Sequence, residues 1–423
     1  MAATSSLHIA MYPWFAFGHF TPYLQIANKL AKKGHKISFF IPSKTQPKLQ
    51  PFNHFPSLIT FVPIIVPHVD GLPEAAETTA DVSHPSLFNL IMTAMDLTQP
   101  QIKCILQNIK PHFIFFDFTF WMPKLASQLG IKSIYHSVIS ATTFAYVFPP
   151  SRQLCGDNCT EADFMKPPPG YPSSTIKLHS HEAKFYASMS HMRFGSDVLF
   201  FHRHFTGLCE SDAIAFKSCR EIEGPFVDYL ISEFKKPVLL SGPDGNIQEP
   251  ATTFEHRWAA WLSRFKAGSV IYCAFGSECT LTKHQFQELV LGFELTNLPF
   301  FAVLKLPHSI DMVGAALPEG SISEALVKKC QLVFLPHNGD HFFRARTMSR
   351  CLKVGVEVER REEDGIFNKE SVCKAVKTVM DEESEIGKEI RANRAKLREL
   401  LVDKDLEESY INNFIHSLHG LIV

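Results

Sequence analysis

The chain has 423 residues, 45% of them hydrophobic and 20% charged, with 37 Phe; this exceeds one ordinary core and predicts two large lobes with ample apolar material to bury. Lys and Arg total 42 against 43 Asp and Glu, a net charge of -1, so no basic field exists to gather nucleic acid or anionic lipid. The 10 Cys form neither a CxxC pair nor a dense framework and read as reduced thiols, the N-terminus lacks the basic and apolar regions of an export signal, and no window approaches a membrane span; a cytoplasmic monomer is expected.

Strand and helix signals alternate along the first half. "SLHIAMYPW" reads as a strand, residues 22 to 33 as a helix ending at Gly34, and "HKISFFIP" as a second strand. "ITFVPIIV" and "FIFFDF" read as buried strands with the helical stretch 86 to 109 between them; a helix at 122 to 129 leads to the strand "KSIYHSV". Near-continuous apolar strands separated by helices argue for a parallel sheet covered on both faces. Residues 151 to 185 are polar and rich in Pro and Gly, which reads as a solvated loop inserted in the first lobe.

The composition of "LLSGPDGNIQEP" at 239 to 250 marks a linker. The expected domains are 1–240, a linker 241–250, a second domain 251–405, and a C-terminal helix 406–423 packing back on the first domain. The second lobe restarts the alternation with "SVIYCAFGS", helix 282 to 296, "PFFAVLKL", helix 321 to 330, "QLVFLP", helix 340 to 351 and "KVGVEVE". Helices near 369–381, 384–402 and 406–418 close the chain. The fold class is α/β, two doubly wound lobes with a cleft between them and ligands at the carboxyl ends of the strands.

His19 follows the first strand beside Gly18. A neutral imidazole there can take a proton from a hydroxyl if a carboxylate orients its other nitrogen; a histidine satisfied in a turn is the competing reading. Asp117, at the end of an apolar strand, offers that carboxylate and needs a partner, or else caps the next helix. His179 with His181 and His202 with His204 have strand-like spacing but no third ligand, so no metal site is expected. Gly276 and Ser277 form a small-residue turn suited to a phosphate. Ser321 and Glu324 fit a capping box, and Asp340 fits an N-cap.

Together "GHFTPY", "FFDFTFWMP", "AFGSE" and "SISEALVKKCQLVFLPHNGDH" resemble the plant UDP-glycosyltransferases, in particular the group that extends the sugar of flavonoid and anthocyanin glycosides. The resemblance implies the GT-B fold, two Rossmann-like lobes facing a cleft, the acceptor bound mainly by the first and the UDP-sugar by the second. It matches His19 to the catalytic base and Asp117 to the carboxylate that orients it, with inverting transfer to a phenolic or glycoside hydroxyl and neither metal nor cofactor beyond the UDP-sugar co-substrate. Gly276 and Ser277 fall on the donor side. Ser321 matches the serine that meets the diphosphate, Glu324 the glutamate that grips the ribose, and Asp340 with His341 the acidic-Gln pair that binds the sugar.

The chain departs from that pattern in two places. His341 replaces the Gln, which changes donor and acceptor capability at the sugar. Between Gly320 and Ser321 the family's strand, its W-x-x-Q helix and the strand ending in H-C-G are missing, so the second lobe is expected to be truncated, with "QLVFLP" as the new neighbour of its first strand. Trp258 and Trp261 lie upstream in another helix and do not replace the lost Trp. A non-catalytic homologue that binds a small aromatic glycoside or a partner enzyme is the alternative function.

Overall fold

A computed structural model describes residues 5–153, 159–243, 256–275, 279–304 and 330–422. It divides into two compact units. The first comprises residues up to Pro172, Tyr186–Gly242 and those from Glu408 onward; the second comprises Ser173–Phe185 and Pro243–Glu407.

In the first unit the strands are β1 (His8–Tyr12), β2 (Lys36–Pro42), β3 (Ile59–Ile64), β4 (Phe113–Phe116), β5 (Lys132–Ser137), β6 (Ala213–Phe216) and β7 (Val238–Leu240). They form one parallel sheet in the order β3-β2-β1-β4-β5-β6-β7. Every residue of β4 is buried, and so are Ile9–Tyr12 of β1, as expected of strands covered on both faces. β7 takes the first residues of the stretch read as linker.

Helix α1 spans Phe17–Lys32, five residues earlier than the sequence suggests. Pro22 reads as a helix start, yet it sits inside the helix, because the N–H groups of His19 and Phe20 already donate to the Ala16 carbonyl. The helical stretch 86 to 109 divides into α2 (Phe88–Leu97) and α3 (Gln99–Ile109), which meet at Thr98 with Pro100 in the first turn of α3. Helices α4 (Met122–Gln128) and α5 (Ala141–Val147) follow. Helix α6 (Ser180–Ser190) carries His181, α7 (Phe200–Glu210) carries His202 and His204, and α8 (Arg220–Phe234) precedes β7. His181, His202 and His204 thus belong to helices rather than strands, and His179 lies just before α6.

The loop expected at 151–185 is not all of one kind. Ser173–Phe185 groups with the second unit, because it supplies a buried carboxylate to that unit's arginines, described below.

In the second unit α9 (His256–Leu262) precedes β8 (Ile271–Ala274), and α10 (Lys283–Glu294) leads to β9 (Phe300–Val303). Then come β10 (Val333–Phe334), α11 (Asp340–Arg346), β11 (Val356–Glu357), α12 (Lys369–Met380), α13 (Glu385–Leu401) and α14 (Lys404–Leu421). β8 pairs with β9 and β10 with β11, both in parallel. Among the described residues no ladder joins the two pairs, so "QLVFLP" is not the hydrogen-bonded neighbour of β8. The pairs share a core instead: Leu289 and Phe293 of α10 meet Val372, Ala375 and Val376 of α12, with Ile271, Cys273, Val333 and Val356 packed against them. From Glu408 on, α14 belongs to the first unit, where the Tyr410 hydroxyl donates to Glu221 at 2.8 Å and accepts the Arg220 N–H at 2.7 Å.

Candidate active site

β1 and β4 are neighbours, Met11 opposite Phe115 and Tyr12 opposite Phe116. After β3 the chain returns past β1 to start β4, so the order reverses between these two strands. Their carboxyl ends are the switch point at which doubly wound sheets bind ligands. His19, in the first turn of α1, and Asp117, directly after β4, both stand there.

Nδ1 of His19 lies 2.6 Å from Oδ2 of Asp117. Oδ1 accepts the backbone N–H of Trp14 at 2.8 Å and of Phe118 at 2.7 Å. Asp117 is only 2% exposed, so its position is fixed, while the His19 side chain keeps 17% of its surface open. A carboxylate only accepts, which places the Nδ1 proton on the Asp117 side and leaves the Nε2 lone pair available. An imidazole in this state can take a proton from a hydroxyl. Asp117 does not cap a helix: α4 starts beyond it with Trp121 at its N-cap and no capping side chain.

An aromatic wall stands beside the pair. The Phe118 ring centroid is 5.6 Å from that of His19, and Trp14, Phe194 and Phe200 surround Phe118 at 5.6 to 5.7 Å. Behind it His204 meets Phe118 at 4.6 Å, and its Nδ1 is 2.5 Å from the Tyr135 hydroxyl. Burial, helped by the charges of His19 and Arg203, pushes the His204 pKa down to about 3. Sequence reasoning missed this wall. Its one signal was the number of Phe residues, which says nothing about where they gather.

In the second unit Gly276, Ser277, Ser321 and Glu324 lie outside the described residues. Asp340 and His341 open α11. Asp340 is not the N-cap: that place belongs to Gly339, whose φ of +48° favours glycine. The Asp340 carboxylate faces Nη1 of Arg344 at 3.5 Å, and His341 is exposed. Next to them His337 meets the Phe275 ring at 4.7 Å. Burial first, then the charges of Arg360 and His341, lower its pKa to about 4, so it is neutral at pH 7. The rings of Trp258 and Trp261, on α9, pack against Phe301 at 4.9 and 6.1 Å. Among the described residues no three His, Cys, Asp or Glu side chains gather as metal ligands.

A scan against protein-family models finds no match. Curated relatives match over nearly the whole chain. The cyanidin 3-O-galactoside 2''-O-xylosyltransferase of Actinidia chinensis var. chinensis is 53% identical over 455 positions, covering 99% of both chains. An anthocyanidin 3-O-glucoside 2''-O-glucosyltransferase of Ipomoea purpurea is 50% identical with the same coverage. UDP-glycosyltransferase 79B30 of Glycine max is 49% identical over 98% of both. The chain belongs to the plant UDP-glycosyltransferases.

The fold of this glycosyltransferase is GT-B. The crystal structure of Glycyrrhiza uralensis UGT73P12 with glycyrrhetinic acid 3-O-monoglucuronide superposes with a TM-score of 0.80 at 18% identity, over 99% of this chain and 96% of that one. Alignments of 455 positions against the 423 residues of this glycosyltransferase leave at least 32 positions, the difference, with no residue here.

Proposed function

We propose that the chain transfers a sugar from a UDP-sugar to a hydroxyl of a flavonoid or anthocyanin glycoside, with inversion. The observation that carries this is the 2.6 Å contact between His19 and Asp117 at the switch point of the first sheet. Nε2 of His19 takes the proton of the acceptor hydroxyl while Nδ1 stays bound to Asp117. The freed oxygen forms a bond to the anomeric carbon as the bond from that carbon to the UDP oxygen breaks, and UDP departs with the electron pair. Asp117 orients the ring and stabilises the imidazolium. The wall of Phe118, Phe194, Phe200 and Trp14 suits a flat aromatic acceptor. No step is assigned to a metal or a resident cofactor.

On the donor side we assign the sugar to Asp340 and His341, the diphosphate to Gly276, Ser277 and Ser321, and the ribose to Glu324. The named relatives use different sugars, xylosyl in one and glucosyl in another, and His341 stands where the family has Gln, so the donor is left open between pentose and hexose. Cys104, Cys209, Cys219, Cys273, Cys351 and Cys373 are free thiols, which supports a place in the reducing cytoplasm.

A second reading has a specific observation behind it. The number of unmatched positions, together with the family segment missing between Gly320 and Ser321, supports an internal deletion in the donor half, and with it a homologue that keeps an acceptor or partner site but transfers sugar poorly. Calorimetric titration with UDP, followed by product analysis with UDP-xylose and UDP-glucose on a flavonoid glycoside, separates the two. Saturable UDP binding with transfer supports the enzyme. A folded chain that binds the acceptor but not UDP supports the homologue.

A further inference from the structure

The segment Ser173–Phe185 carries Glu182, whose side chain is fully buried within the second unit. A buried carboxylate needs charged partners. Its Oε1 accepts from Nη2 of Arg346 at 2.8 Å and from Nη2 of Arg360 at 2.7 Å. Its Oε2 accepts the His179 N–H at 2.9 Å and lies 2.7 Å from Nη1 of Arg346, near enough for an ion pair but off the line of a hydrogen bond. Arg346 is fully buried and Arg360 nearly so. Burial by itself raises the Glu182 pKa; the hydrogen bonds and charges, those of Arg346 foremost, outweigh it and hold the group below the ordinary glutamate value.

Each arginine holds one side of the same turn. Arg346 closes the α-helical part of the segment, which continues as the π-helical turn Thr347–Cys351. Arg360 donates from Nη1 to the Pro336 carbonyl at 2.8 Å, where the chain leaves β10 for α11. Between these two anchors lie Gly339, with its left-handed φ, and then Asp340 and His341. The α-helical turns of 340–346 pass at Arg346 into a wider π-helical turn, and such a change in hydrogen-bond register makes the direction of the segment depend on what it is tied to. We propose that Glu182 is a positioning residue for donor recognition: its carboxylate, with Glu357 farther off at 3.3 Å from Arg360 and 3.8 Å from Arg346, grips the turn from both sides and sets how Asp340 and His341 meet the sugar of the UDP-sugar. The proposal rests on the reading of that pair given above.

Hydrogen exchange and donor binding test it in the full-length chain. In Glu182→Gln the amides of 339–346 should exchange roughly tenfold faster, since a charged hydrogen bond at each anchor is weakened, while those of α1 keep their rates. UDP-sugar affinity should fall roughly tenfold and UDP affinity, which involves no sugar, should hold. Asp340→Asn checks the underlying reading separately: it should weaken UDP-sugar but not UDP, and, since it removes only the exposed-side pair with Arg344, it should speed exchange in α11 much less than Glu182→Gln does. Unchanged exchange in a folded Glu182→Gln overturns the tie. Faster exchange in Glu182→Gln with UDP-sugar binding untouched by Asp340→Asn overturns the link to the donor, because the reading of the pair has then failed while the tie has not. If Glu182→Gln does not fold, Glu182→Asp is read by the same measures; it keeps the charge but is one methylene too short to reach both arginines.

Discussion

The strands of the two units draw on the same residue types and end in different surroundings. Phe113–Phe116 of β4 lie between β1 and β5 and are 0% exposed throughout. In β8, Ile271 and Cys273 face a core while Tyr272, between them, is 54% exposed. Among the described residues β8 has one neighbour where β4 has two. The difference teaches that an apolar run specifies a strand, whereas the depth of its burial depends on how many strands and helices close around it. It also distinguishes the candidate residues of the first unit from those of the second. Asp117 is held by backbone N–H groups at the end of a seven-stranded sheet, while the turn bearing Asp340 and His341 is held by buried charges.

The largest expected effect falls on the first unit. His19→Ala should lower kcat by about 10²–10⁴, with the unfolding midpoint nearly unchanged because the ring is partly open to solvent. Initial rates at saturating donor and acceptor, together with a urea titration, measure both. Full retained activity would remove the assigned base.

Phe115→Ala and Tyr272→Ser test the contrast in burial directly. The first removes a ring packed on both faces and should cost about 3–5 kcal/mol. Equal losses for the two in urea unfolding would sink the comparison.

Acid should act more strongly on the first unit. There burial, with smaller repulsion from nearby charges, pushes His136 and His204 down to about 3 from an ordinary 6.5. Among the described residues of the second unit the comparable histidine is His337, at about 4. The unfolded chain gains these protons below 6.5 and the folded chain only near its own lower values, so stability is full above 6.5 and falls as the pH drops. Going to about pH 5 should cost roughly 2 kcal/mol for each such histidine. Urea titrations at the two pH values measure it, and His204→Phe should remove one share of the loss.

The smallest effect belongs to Tyr272→Ser, which should stay within about 0.5 kcal/mol because the ring is mostly in water.

Much of this was legible in the residues. The apolar runs that became β1, β2, β4 and β5 were readable because strands buried on both faces need no alternation. His19 and Asp117 could each be placed at a strand end, but their meeting could not be read, since they are 98 residues apart and only the strand order brings β1 beside β4. The start of α1 was misjudged because Pro22 is equally at home in a first turn. Glu182 was hidden for a deeper reason. A glutamate in a polar stretch reads as solvated, and its burial depends on Arg346 and Arg360, 164 and 178 residues away. The two short ladders of the second unit were not foreseen either, because an apolar run does not name its neighbour.

The division of the chain bears on how such proteins could be recombined. Ser173–Phe185 belongs with the second unit, and the residues from Glu408 onward with the first. A hybrid of two relatives joined only at the linker would take the carboxylate of one parent and the arginines of the other. Sugar preference, if it follows the turn at Gly339, would then be inherited in two separate pieces of the coding sequence, and a crossover that moved only the larger piece would leave the smaller one behind.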